Sequence, residues 1–235
     1  PGPEIELTRH FENGWDIGMR YFSIDGWDTT HSLNILGNLQ VPLVSVDLDD
    51  LFDDVSASYA SRLYNAEINL KRQLTDRLRI LAGFRMVELD EIISARAYSQ
   101  DLEGSFGVQA RNYLYGFQLG SEATLLRRGP FQVDGFLKAG IYGTHINAGA
   151  QGEGTNFELD EGIAHRQTSF LGELGVTGSY QLGKHLAVYG GYELMWIDHI
   201  ALAADSVAAI ERLDGNTFLS GTAFYHGATA GLTLS

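Results

Sequence analysis

From Asn112 to Thr124 the chain sorts its residues by parity. Tyr113, Tyr115, Phe117, Leu119, Ser121 and Ala123 fall on one side of an extended backbone, and Asn112, Leu114, Gly116, Gln118, Gly120, Glu122 and Thr124 on the other. Strand side chains alternate between faces, so this period suits one face to lipid or a core and the other to water. The pattern returns along the chain. Phe131, Val133, Leu137, Ala139 and Ile141 oppose Gln132, Asp134, Lys138, Gly140 and Tyr142. Tyr64, Ala66, Ile68 and Leu70 oppose Asn65, Glu67, Asn69 and Lys71, while Leu78, Ile80, Ala82, Phe84 and Met86 oppose Arg77, Arg79, Gly83 and Arg85. The stretches Trp15–Tyr21, Phe170–Tyr180, Leu186–Trp196 and Ala228–Leu234 repeat it, and a shorter strand from about Glu4 to Phe11 comes first. About nine strands are predicted, most reaching the roughly 9 to 11 residues that cross a bilayer at a tilt.

Short polar turns centred on Glu12-Asn13-Gly14, Gln73-Leu74-Thr75-Asp76, Arg127-Arg128-Gly129-Pro130 and Gly183-Lys184 join these strands in pairs. The segments between pairs, about 25–54, 89–108, 145–166 and 199–221, are long and rich in Asp, Glu, Gly, Ser and Asn. This alternation predicts an all-β, up-and-down antiparallel transmembrane β-barrel over 1–235, with tight turns on the periplasmic side and long loops outside. The aromatics agree. Phe11, Trp15, Phe131 and Tyr180 stand at the turn ends, Tyr21, Tyr64, Phe84, Tyr113, Tyr115, Phe170 and Trp196 toward the loop ends, and aliphatics between, as expected where rings prefer the two interfaces. A soluble barrel or sandwich would also alternate, but with the aromatic face as its core.

Composition narrows the function. No run of about 18 apolar residues offers a transmembrane helix. The absence of Cys removes disulfides and thiolate metal sites. A net charge of -14 argues against nucleic acid, whose phosphates it would repel. The expected partner is outer-membrane lipid, together with a protein partner or a second copy, and the expected place is a bacterial outer membrane. Pro1-Gly2 opens the chain with neither a basic nor an apolar leader region, so a signal peptide is expected to have been removed or to lie outside this sequence.

Asp47, Asp49, Asp50, Asp53 and Asp54 crowd one loop. Hard cations such as Ca²⁺ take several carboxylate oxygens, but this spacing is not that of an EF-hand loop. The run is read either as a Ca²⁺ site or as a solvated acidic loop, and no other cofactor is expected. Residues 200–213, Ala-rich and followed by Asp214-Gly215, predict a short helix with a Gly C-cap. The apolar segment 31–46 is a candidate lid, lumen insert or extra strand pair.

The inward face carries the charges. Arg20, Lys71, Arg77, Arg79, Arg85 and Lys138 share it with Glu6, Asp16, Glu67, Glu122, Asp134, Glu173 and Glu193, so the lumen lining is nearly balanced in sign. Two readings are open: a small water-filled pore of mixed charge, or a salt-bridged plug closing a narrow bore. The inward Gly116, Gly120, Gly140, Gly175, Gly191 and Gly231 favour open space. Enzymatic function is not expected. His145, His165, His226 and the adjacent Asp198-His199 lie near the loop ends, but neighbours in a strand point to opposite faces and cannot act together while the strand continues.

The runs Ser61-Arg62-Leu63-Tyr64-Asn65-Ala66-Glu67-Ile68-Asn69-Leu70-Lys71-Arg72, Leu81-Ala82-Gly83-Phe84-Arg85, Asn112-Tyr113-Leu114-Tyr115-Gly116-Phe117-Gln118-Leu119-Gly120 and Lys138-Ala139-Gly140-Ile141-Tyr142-Gly143, with the early Pro1-Gly2-Pro3, carry a resemblance. The chain resembles the "putative β-barrel porin" family found mainly in planctomycetes. The resemblance implies an outer-membrane barrel, with porin-like passage of small solutes as its role and a structural or surface-interaction barrel as the alternative; it implies nothing about substrate. The terminal Leu232-Thr233-Leu234-Ser235 departs from the aromatic ending common in such barrels.

Parity adds one expectation. Single-chain bacterial barrels have even strand numbers, so about nine visible strands predict a tenth between the Glu4–Phe11 and Thr222–Leu234 edges. It would come from sequence before Pro1, a partner, or part of 31–46.

Overall fold

The four tight turns form where the spacing places them. Gly14 and Gly129 take φ values of 78° and 59°, left-handed backbone that costs a residue with a Cβ about 1–2 kcal/mol. At the second turn, Thr75 Oγ1 accepts from the N–H groups of Arg77 and Leu78. The computed structural model describes residues 2–34, 54–98, 103–154, 157–205 and 221–234. They form β1 (Glu4–His10), β2 (Trp15–Asn34), β3 (Asp54–Thr75), β4 (Leu78–Tyr98), β5 (Glu103–Arg128), β6 (Phe131–Gly154), β7 (Phe157–Gln181), β8 (Leu186–Ile200) and β9 (Gly221–Leu234). Each pairs antiparallel with the next in one sheet of order β1 to β9. This is the predicted up-and-down barrel topology.

The outer connections correct the loop expectation. Segments 89–108 and 145–166 are mostly ladder: β4 and β5 pair out to Tyr98↔Glu103, and β6 and β7 to Gly154↔Phe157. β2 and β3 likewise pair to Asn34↔Asp54. Their polar residues lie mostly on the outer face of these ladders, while the inner face packs small apolar residues such as Val108, Ala110, Ala148 and Ala150. β8 stops at Ile200, so the wall is low on that side. Residues 203–205 after it are helical; the rest of the predicted helix, residues 206–213, lies outside the described residues. So do 35–46 of the apolar segment and Asp47, Asp49, Asp50 and Asp53, while Asp54 opens β3.

The sheet curls so that its two halves meet across the interior. Arg20 on β2 bonds to Glu173 on β7 and to Glu193 on β8. Among the described residues no ladder joins β9 back to β1, in line with the expectation that these two edges do not pair directly. The outward face is apolar, with Phe117 75% and Leu119 69% exposed, whereas Arg85 inside is 0% exposed. That distribution is the reverse of a soluble barrel with an aromatic core.

The inward glycines correct a second expectation. Their space is filled by neighbouring side chains rather than left as bore. A Cβ at Gly116 or Gly140 would meet Tyr142, one at Gly175 would meet Phe136, and one at Gly231 would meet Tyr189. Glycine on the inner face gives the rings of the adjacent positions somewhere to lie.

Candidate functional site

Inside the curl the side chains stack in levels. Nearest the tight turns, Lys71 Nζ donates to Glu122 Oε1 at 2.6 Å and to Glu6 Oε1 at 3.2 Å. Arg79 joins Glu122 at 3.1 Å and Asp16 at 3.5 Å. Asp134 accepts from Thr124 Oγ1 and from Gln132 Nε2. Arg77 does not belong here. It stands exposed in the turn between β3 and β4, because its strand begins one residue later at Leu78.

At mid-height lies the densest level. Glu173 is gripped by Arg20 on one oxygen and Arg85 on the other. Arg20 also donates to Glu4 at 2.5 Å and Glu193 at 2.6 Å, and its guanidinium lies 4.8 Å from the Phe22 ring centroid. Arg85 donates to Asn65 Oδ1 at 2.5 Å and contacts Met195 Sδ at 3.4 Å. Lys138 donates to Glu67 Oε1 at 2.6 Å, and the other Glu67 oxygen accepts from Gln118. Gln118 donates also to Asn69 and accepts from the Tyr142 hydroxyl. Every strand from β1 to β8 contributes a group. Arg20, Glu67, Arg85, Lys138 and Glu173 are all buried. Buried charges are tolerable only when paired and hydrogen-bonded, and here each buried charge has an opposite partner, while Asn65 Nδ2 is left without a hydrogen-bond partner.

Outward of the lattice the interior turns apolar. Leu63, Val87, Leu89, Leu114, Tyr142, Leu171, Met195, Ile197, Ile200 and Tyr225 form one buried cluster. Above it the chain after β8 folds into the mouth. Asn112 pairs with the backbone of Ala201, accepting its N–H at 2.8 Å and donating to its carbonyl at 2.7 Å. Glu91 accepts the Ala203 N–H at 3.0 Å on one oxygen and the Tyr59 hydroxyl at 2.8 Å on the other. Tyr59 lies beyond the outer aromatic level, and burial together with this bond pushes its phenol up to about 12.

The family described as putative beta barrel porin-7 matches residues 53–222, the greater part of the chain. The chain belongs to that family. No curated protein matches it. Within this porin-family barrel, parity placed ten of the eleven singled-out lumen residues on the interior face: Arg20, Glu67, Lys71, Arg79, Arg85, Glu122, Asp134, Lys138, Glu173 and Glu193, all except Arg77. It missed Asn65, Gln118, Asn112 and Glu91 as holding groups. Asn112 carried a usable signal, a lone amide between inward Ala110 and Leu114; Glu91 carried none, because it fell in a stretch read as loop.

Among the catalytic candidates, Asp198 and His199 come together. A register shift between Asp198 and Ile200, with His199 at φ 59°, brings His199 Nδ1 to 2.8 Å from Asp198 Oδ2. The bulge ends the alternation that was expected to separate them. The hydroxyl on the other Asp198 oxygen is that of Thr222, at 2.7 Å, so the observed bonds hold a bulge rather than aim an imidazole at a nucleophile. His226 pairs with the Tyr192 hydroxyl at 2.5 Å on the outer face.

Proposed function

We propose that this porin-family barrel resides in a bacterial outer membrane and rests closed, passing small solutes only when its charged interior rearranges. The observation that supports this is the mid-height lattice, where Glu173, gripped by Arg20 and Arg85, sits across the barrel axis with every partner buried. The lattice is polar, so once loosened it can hydrate. Outer-membrane lipid covers the apolar outer face.

Single-channel recording of the purified barrel in a planar bilayer tests the reading. The expected record is silent at low voltage with brief, small openings as voltage rises. A large steady conductance from the outset would overturn the closed resting state. A second reading, a structural barrel acting through its outer ladders and loops, draws on the apolar level of Leu89, Leu114, Tyr142 and Ile197 that any aqueous path must cross. Silence at every voltage would favour it and remove passage.

A further inference from the structure

We propose that Ala201–Ala203 is a stopper for the outer mouth of the barrel, held in place by Asn112 and Glu91. The proposal rests on the closed-at-rest reading and assigns a second closure, distinct from the charged lattice. It begins with the uneven rim. β8 ends at Ile200, whereas β7, its ladder partner up to Phe170↔Asp198, runs on outward to Phe157. The left-handed backbone of His199 turns the chain, and the His199 carbonyl is fixed there by Gln167 Nε2 at 2.6 Å and Ser169 Oγ at 2.5 Å.

Ile200 past this bend still pairs with Gly221 of β9, and after it the chain leaves the sheet and enters the interior. Ile200, Ala201 and Ala203 are each completely buried, the two alanines against Val108, Ala110, Ile146, Ala148 and Ala150. Backbone N–H and C=O groups in such an apolar pocket would each lose a hydrogen bond to water. Asn112 answers both groups of Ala201 with the two ends of one carboxamide, as a neighbouring strand would have done. Glu91 answers the N–H of Ala203. Asn112 has no exposed surface and Glu91 very little, so two desolvated polar side chains serve a stretch of backbone far from them in sequence. Alanine at 201 and 203 keeps the stopper slim enough to lie within the wall.

The chain contains no cysteine, so a single introduced thiol reports its own exposure. In the folded, lipid-reconstituted protein, Ala201→Cys should react with a membrane-impermeant thiol reagent far more slowly than Ala204→Cys, which lies on the exposed side of the same turn. Adding Asn112→Ala should accelerate labelling at position 201 roughly ten- to hundredfold, the scale set by losing a buried hydrogen-bonded partner, while leaving position 204 unchanged. Glu91→Gln keeps the accepting oxygen and should label as the parent does, whereas Glu91→Ala should accelerate. Heat-modifiable gel mobility selects the variants that form barrels, and Asn112→Asp, which retains the acceptor and loses the donor, serves if Asn112→Ala does not fold. Equal rates at 201 and 204 in the parent, or protection that survives loss of the Asn112 donor, would overturn the stopper. The readout does not depend on conduction. Protection released by Asn112→Ala in a barrel silent at all voltages keeps the stopper and removes passage, whereas voltage-driven openings with position 201 freely labelled do the reverse.

Discussion

Arg85 is, among the described residues, the largest side chain without exposed surface, and its bonds to Glu173 and Asn65 join three strands. Truncating it leaves Glu173 with one cation and a void beside it. Arg85→Ala should therefore destabilise the barrel by about 3–5 kcal/mol, and the pair Arg85→Met with Glu173→Gln should recover much of that, since hydrophobic replacements of buried ion pairs are often near neutral. Urea unfolding in lipid vesicles measures both. On the outer face the order of tolerance is opposite in kind: Leu119→Arg should cost about 2–4 kcal/mol near the bilayer midplane. Its neighbour Gln118 is no permissive lumen position either, because replacing it deprives Glu67 of a donor, at about 1–3 kcal/mol. A mild Leu119→Arg beside a severe outward-facing defect at Gln118 would mean a one-residue slip. Parity along one strand gives the face of each residue. It does not give partners, because Arg20 meets Glu173 only once the sheet has curled β2 round to β7, and no local period encodes that closure.

At the scale of elements, turns and ladders were legible to different degrees. The tight turns carry their own chemistry: glycine at positive φ, a Thr side chain accepting from the backbone, polar residues between apolar runs. Gly14 and Gly129 have positive φ and open space around the missing Cβ, while Gly183 has equal space without the positive φ. Alanine at 14 or 129 thus incurs the left-handed backbone cost of about 1–2 kcal/mol, partly offset by about 0.4–1 kcal/mol from a stiffer unfolded chain. Gly14→Ala and Gly129→Ala should each be destabilised by about 1 kcal/mol or less, and Gly183→Ala should be neutral or slightly more stable, as shifts in urea midpoint at constant slope. An equal loss at all three would mean that side-chain space, not backbone conformation, governs these turns. The outer ladders were misread as loops for a physical reason. An apolar outward face marked the strands, and in the outer parts of β4 to β7 the apolar face turns inward, with small residues such as Ala110, Ala148 and Ala150, while Gln109, Arg111 and Asn147 face out.

For the whole molecule, the pattern of apolar outside and charged inside was visible in sequence because every strand repeats it at the same height. The filling of the interior was not, since whether inward glycines leave a bore depends on where Tyr142, Phe136 and Tyr189 swing. The height of the membrane band is directly testable through tryptophan. Trp15 stands at the turn end of β2 with the Arg72 guanidinium 5.0 Å from its ring, and Trp196 stands toward the other end of β8, 48% exposed on the outer face. The two should mark opposite edges of an apolar band about 25 Å tall. In a Trp27→Phe background, with Trp15→Phe and Trp196→Phe added separately, each remaining indole should be quenched strongly by lipids brominated near the headgroup and weakly by lipids brominated near the chain ends. Strongest quenching of Trp196 by the deep bromines would place β8 too far into the bilayer and shift the lattice with it. Absence of quenching at either depth would take the outward face out of lipid altogether, and with it the membrane reading of the apolar stripe that Asn112 to Thr124 announces.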